Sequence, residues 1–383
     1  VHIRNTIGSP AEGQNFYGRS EEQTRLWDRL ETDDVLLLAP RRVGKTSLLY
    51  KLEATAEQHD FKPIYASVAS HSTELAFLQA LTQAVAGHGS LGTKIVNRAA
   101  KLLERVKKLS FDKISVELEI QQWQDVGDDL LQTLQSAEHR CLVMLDELPV
   151  FVLNLLRAHG RERTRHFLNW FRQVRIDRRA RLRVRWLICG SIGLDTVTQR
   201  ERLGDTINDF TIERLGPFPR PTAHSFLAEL ATNYGIELHA DVHEHILDKI
   251  DWLIPYHLQL LFSMVRDLGV VAPDVAAVDR AYQQLLTNHH KGYFDTWYQR
   301  LRDELGPIDE GHVLALLEAA ARDPLGAPKT VMQELMRSRG ADGDLTRYLL
   351  SVLESDGYLV PVDERWRFRS PLLRDYWRAM VLA

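Results

Sequence analysis

A chain of 383 residues and 44.0 kDa, 44% hydrophobic and 26% charged, is long enough for two or three ordinary globular domains. It has no apolar run near the ~20 residues that span a bilayer, so no membrane partner is expected, and two cysteines inside apolar runs, Cys141 and Cys189, exclude a disulfide scaffold. A net charge of −4 excludes bulk attraction to nucleic acid, yet residues 157–185 carry eleven arginines against only Glu162 and Asp177.

In chain order, the opening "VHIRNTIGSPAEGQNFYGRS" lacks a basic start and an apolar core, so no secretory signal is expected there and the expected location is cytoplasmic. Residues 20–33 have helical spacing behind Ser20, and "DVLLLAP" reads as a short buried strand. After the loop at 39–47, "TSLLYKLEATAEQHD" is helix-like. "FKPIYASVA" is a second strand, followed by helices over 73–88 and 92–109. Alternation in "FDKISVELEI" (111–120) predicts an exposed strand or hairpin before a helix over 122–136. "CLVMLDE", "RVRWLICGS" and "FTIERLGPF" complete five strands, with a helical stretch at 148–178. Strands alternating with helices predict an α/β fold with a parallel sheet covered on both faces. Residues 221–300 read as helices. Beyond about 303, three helices (311–321, 329–338, 344–356), a hairpin "GYLVPVDERWRFRS" and a last helix at 371–381 have the order of a winged helix. The expected domains are 1–216, 217–302 and 303–383.

"LLLAPRRVGKTSLL" (36–49) follows G-x-x-x-x-G-K-[ST] with Ala39 in place of the first glycine, and joins a strand to a helix as that motif requires. Backbone N–H groups at a helix N-terminus favour an anion. In this reading Gly44 lets the backbone approach, Lys45 reaches the β- and γ-phosphates, Thr46 ligates Mg²⁺, and Arg41 and Arg42 add positive potential. "CLVMLDE" ends a strand with two acids: Asp146 suits the metal and Glu147 suits the attacking water.

The set "NFYGR", "APRRVGKTSL", "LVMLDELP", "LICGS" and "LIPYHLQLL" resembles the AAA+-related STAND ATPases, in particular the archaeal-type (MNS-like) branch. The resemblance covers nearly the whole chain. It implies an ASCE-type P-loop core with a helical lid and a C-terminal winged helix, binding ATP or ADP with Mg²⁺. It places Phe16, Gly18 and Arg19 beside the adenine, Arg42, Val43, Gly44, Lys45, Thr46 and Ser47 around the phosphates, Ser191 as a γ-phosphate sensor and Pro255 against the base. Leu253 stands where the family has a glycine two residues before that proline. In the implied sheet order, the strands ending at Asp146 and Ser191 are neighbours. Arg200 and Arg202 stand where AAA+ rings carry an inter-subunit arginine.

Other features bear on partners. The third helix of the winged segment, "DLTRYLLSVLESDG", offers one cation, Arg347, and 301–383 holds 11 basic against 14 acidic side chains, a poor groove reader. Only Arg365, Arg367 and Arg369 look suited to DNA, so packing on the chain's own ATPase core or a partner is expected. The stretch 157–185 could present Arg161, Arg165, Arg172, Arg175 and Arg179 as a cationic stripe above a hidden face of Phe167, Leu168, Phe171 and Val174. His239, His243, His245, His289 and His290 read as surface histidines rather than ligands. The leading expectation is an ATP-hydrolysing switch acting on an unidentified partner protein in bacterial defence or regulation, oligomerising on ATP. The alternatives are a DNA-associated ATPase, such as a loader or an origin-binding or transposition-type regulator, and a scaffold that binds nucleotide without turnover.

Overall fold

Five short apolar runs form strands: β1 (Val35–Leu38), β2 (Phe61–Ser67), β3 (Arg140–Asp146), β4 (Val184–Gly190) and β5 (Thr211–Arg214). In the computed structural model, which describes residues 3–109, 116–190, 194–290 and 292–380, they make one all-parallel sheet in the order β2-β3-β4-β1-β5. The interior strands β1 and β4 are buried along their whole length, while β5, at an edge, alternates half-buried and exposed residues. Continuous apolar runs are what a sheet covered on both faces selects.

Crossover helices supply the cover: α1 (Ser20–Thr32), α2 (Lys45–Thr55), α3 (Glu74–Ala86), α4 (Thr93–Leu109), α5 (Val116–Gln135), α6 (Leu148–Ile176), α7 (Ala180–Arg183) and α8 (Leu194–Arg200). Aromatic side chains fill the space between helices and sheet. Phe77 lies 5.1 Å from both Phe151 and Phe167, and Trp123 meets Trp170 edge to face at 5.2 Å.

One expected element is overturned. Residues 116–120, predicted as strand, form the start of α5, while 110–115 lie outside the described residues. Val116, Ile120 and Trp123 satisfy helical i, i+4, i+7 spacing while Val116, Leu118 and Ile120 alternate, and a short apolar pattern alone does not separate the two periods.

Contacts divide the chain into two compact units. A sheet unit comprises Ser20–Ala39 and Leu48–Leu215. The other comprises Val1–Arg19, Pro40–Ser47 and Gly216–Ala383, so the phosphate loop packs with the later part of the chain. This helical unit contains α9 (Arg220–Asn233), α10 (Ala240–Ile250), α11 (Pro255–Asp267), α12 (Val275–Leu285) and α13 (Gly292–Ala321). Then follow β6 (Ala327–Pro328), α14 (Lys329–Ser338), α15 (Gly343–Ser355), β7 (Leu359–Val362), β8 (Arg365–Phe368) and α16 (Pro371–Met380). The three short strands pair antiparallel in the order β6-β8-β7, completing a winged helix. The helix expected to begin at 311 is the last third of α13, which runs unbroken from Gly292.

Candidate phosphate-binding site

The register of the sheet sets the positions of the acids. Leu38, the last residue of β1, pairs with Gly190, and Leu145 pairs with Ile188, so β1, β3 and β4 all end at one edge. Asp146 is the last residue of β3 and only 5% exposed. Its carbonyl accepts from Val68 N–H at 3.1 Å and its Oδ2 accepts from the Tyr65 hydroxyl at 3.2 Å. Glu147 follows in the left-handed region (φ 61°) as N-cap of α6, its carbonyl taking the N–H groups of Val150 and Phe151. A left-handed non-glycine residue costs about 1–2 kcal/mol and is retained where the surroundings fix it. Ser191 lies outside the described residues. As expected from the sheet order, β3 and β4 are neighbours; Cys141 pairs with Val184, five residues before Cys189, and both thiols are free.

In the helical unit, the loop at 40–47 alternates backbone hands. Arg42 (φ 64°) and Gly44 (φ 97°) are left-handed, while Val43 between them is not. That alternation turns successive N–H groups into one concavity, the geometry of an anion nest, at the start of α2. A Cβ at Gly44 would meet no atom within 4 Å, so it is the backbone hand that asks for glycine there. Lys45 opens α2 and is largely buried, with Thr46 half-buried beside it. The Thr46 hydroxyl of this unit and, separately, the Asp146 carboxylate of the sheet unit are oxygen donors of the type a hard divalent cation takes. No group of three or more histidines, cysteines or acids is placed to hold a metal among the described residues.

Several residues brace the loop. Arg19, itself left-handed (φ 66°) and buried, donates to the carbonyls of Val43 (3.0 Å), Gly216 (2.8 Å) and Pro217 (3.4 Å), with its guanidinium 4.6 Å from the Phe218 ring centre. Gly18, beside it, is also left-handed (φ 63°). Ser47 Oγ accepts the N–H of Ala11 at 2.8 Å, so the N-terminal segment crosses the loop. That segment is pinned further along by Asn5 N–H to Tyr234 (3.0 Å) and by Asn233 to Ile3 O (3.1 Å). Arg42 lies 4.5 Å from the centre of the Tyr256 ring, next to Pro255 at the first position of α11. Beside Tyr256, His257 is wholly buried, and burial, with Arg42 adding to it, pushes its imidazole down to about 3.

The winged helix reaches the same place. Gly357, in the turn before β7, has φ +88°, and a Cβ there would lie 2.8 Å from Trp252 and 2.9 Å from Pro40 of the loop. Arg369 lies 5.8 Å from the centre of Trp252, Ser370 is 3.4 Å from His257 Nδ1, and the Tyr358 hydroxyl donates to Trp297 O at 2.5 Å. Sequence reading did not find Tyr65, Trp252, Tyr256 or Gly357. Only Tyr65 left a signal, its place near the end of the strand beside β3.

Two charge readings are corrected. Arg365 donates to Leu325 O, Gly326 O and Asp323, Arg367 faces Asp251 at 3.9 Å, and Arg369 is turned to Trp252 and Glu354 O, so the wing arginines are spent within the unit. Arg175 is 1% exposed, paired with Asp209 at 3.1 Å and sandwiched between Phe171 and Phe210. Arg172 also faces Asp209 (3.6 Å), Arg163 pairs with buried Glu74 (2.7 Å) and Arg165 donates to Arg202 O (2.6 Å). Arg161, Arg178, Arg179 and Arg181 stay exposed, as do Arg200 and Arg202. His243, expected at the surface, is buried with its ring 3.8 Å from that of His224, because it falls on the inner face of α10 with Ile246, Leu247 and Ile250.

No family model and no curated protein sequence matches the chain. Among solved structures it is similar to the Walker-type ATPase PABY2304 of Pyrococcus abyssi, at 19% identity and a TM-score of 0.64 over 98% of this chain and 99% of that one. The fold is that of a Walker-type P-loop protein, an α/β core on a five-strand parallel sheet. Weaker likenesses include the Orc2 protein of Aeropyrum pernix in ADPNP–ADP complexes (13% identity, TM-score 0.46, 97% and 98% of the two chains). The Orc1 protein of the same organism in complex with DNA is another (16%, 0.43, 95% and 93%). At these identities the likeness concerns the fold. No helix among the described residues is long and apolar enough to cross a membrane.

Proposed function

We propose that the chain is a Mg²⁺-dependent ATPase of the AAA+/STAND type, of the archaeal-type branch, acting in the cytoplasm as a nucleotide-controlled switch on a partner protein. The nest at 42–45 would take the β- and γ-phosphates, with Lys45 as a full cation beside them. Thr46 and Asp146 would hold Mg²⁺, which when bound would supply neutralisation of the phosphate charge. Glu147 would orient the attacking water and accept its proton as ATP passes to ADP and phosphate. Ser191 would hydrogen-bond the γ-phosphate, and Gly18, Arg19 and Pro255 would border the base.

What supports a switch over a free-running hydrolase is the wing turn at Gly357, seated against both Pro40 of the loop and Trp252 ahead of α11. A loop that changes shape with its nucleotide would push directly on that turn, biasing the winged helix between two arrangements. ATP-driven self-association is the readout such a switch would have.

Steady-state phosphate release with Glu147→Gln and Lys45→Ala beside the unmodified protein tests the reading. Glu147→Gln should still bind ATP while turnover falls at least a hundredfold, and Lys45→Ala should bind poorly. Turnover indifferent to Glu147→Gln would refute the assignment. A second reading, a DNA-associated ATPase, rests on exposed Arg178, Arg179 and Arg181.

A further inference from the structure

We propose that Tyr65 is the positioning residue of Asp146, holding its carboxylate in the orientation that engages the metal–nucleotide complex. The inference rests on the phosphate-site reading above.

Two points, one on β2 and one just past its end, hold one residue of β3. The strands run parallel with Tyr65 opposite Met144 and Ser67 opposite Asp146. Just past the end of β2, Val68 N–H fixes the Asp146 carbonyl at 3.1 Å. The Tyr65 hydroxyl, arriving from two residues before Ser67, fixes the carboxylate at Oδ2 at 3.2 Å. A terminal strand residue held only by its backbone keeps rotamer freedom, whereas one held at backbone and side chain has a single orientation of lone pairs. The Tyr65 ring is itself braced, meeting Tyr50 of α2 edge to face at 5.5 Å. Because α2 begins at Lys45 and Thr46, Tyr50 stands on the same helix as the phosphate-binding residues, one turn further on. Partners that orient a metal-binding carboxylate commonly carry ten- to a hundredfold of metal affinity.

The test is Tyr65→Phe, which keeps the ring and its packing and removes one hydroxyl. Affinity for a non-hydrolysable ATP analogue is measured by calorimetry in EDTA and across a Mg²⁺ titration, with thermal melting alongside. The expected result is unchanged affinity in EDTA, a near-native melting temperature and about a tenfold higher Mg²⁺ concentration for half-maximal tightening. On an Asp146→Asn background the same change should have no further effect, since coupled residues are not additive. A Mg²⁺ titration superimposable on the unmodified protein would overturn the proposal while leaving the phosphate site standing. Failure of the unmodified protein to bind nucleotide in either condition would overturn the site reading and this inference with it.

Discussion

At Asp34, burial raises the carboxyl to about 6 despite an N–H from Trp186 at 3.0 Å and the nearby guanidinia of Arg175 and Arg185. The folded chain therefore binds this proton more tightly than the unfolded chain between roughly pH 4 and 6, and stability from this group falls as pH rises through that window. The shift of about two units corresponds to about 3 kcal/mol. Asp34→Asn should flatten that part of the profile, measured as urea unfolding of the sheet unit at pH 4.5 and 7. A profile as steep as the unmodified one would locate the effect elsewhere. Arg175 illustrates the opposite case: its charge is buried but paired, so removing Asp209 strands it, at about 3–5 kcal/mol.

Among elements, the wing turn is the most exacting. Gly357 needs both its positive φ and the absence of a side chain, since Trp252 and Pro40 fill the space a Cβ would take. Gly357→Val should detach the turn, raise basal ATP turnover and lower the melting temperature by several degrees, for a cost of about 2 kcal/mol. Unchanged turnover would separate the wing from control of the loop. None of this could be read from sequence, where "SDGYLV" is an ordinary turn before a strand. The strands were legible because β1, β3 and β4 are buried on both faces and so read as unbroken apolar runs. The places of the loop after β1 and of Asp146 and Glu147 at the end of β3 were legible because each follows an apolar run that reads as a strand. Partners were not: whether Arg175 lies inside or outside its helix depends on Asp209, 34 residues away, and the wing arginines depend on Asp251 and Asp323. The start of α5 was missed because its apolar residues fit two periods.

For the molecule as a whole, the uneven charge matters less than its count suggests. Most of the arginines of 157–185 are committed to carboxylates or carbonyls; Arg161 is exposed, and Arg178, Arg179 and Arg181 are exposed along the same stretch of chain as Ile176 (48% exposed) and Leu182 (70% exposed), a small patch. If this patch binds duplex DNA, Arg178→Glu with Arg179→Glu and Arg181→Glu should abolish a salt-dependent shift and leave ATP turnover intact. Equal binding before and after would dismiss the second reading.

The division of the chain also bears on the order of folding. Eight residues, Pro40–Ser47, pack with a unit whose remaining chain lies before Arg19 and after Gly216, so about 170 residues separate the loop from most of its neighbours. Such contacts have high sequence separation, and closing them is slow relative to the local helices around them. The loop at 40–47 is thus expected to assemble late, after the chain between it and Gly216 has collapsed. A C-terminal piece made alone would lack the loop and the N-terminal strap it packs beneath. Nucleotide held only by the assembled loop would stabilise the product of that last step and leave the earlier steps unchanged.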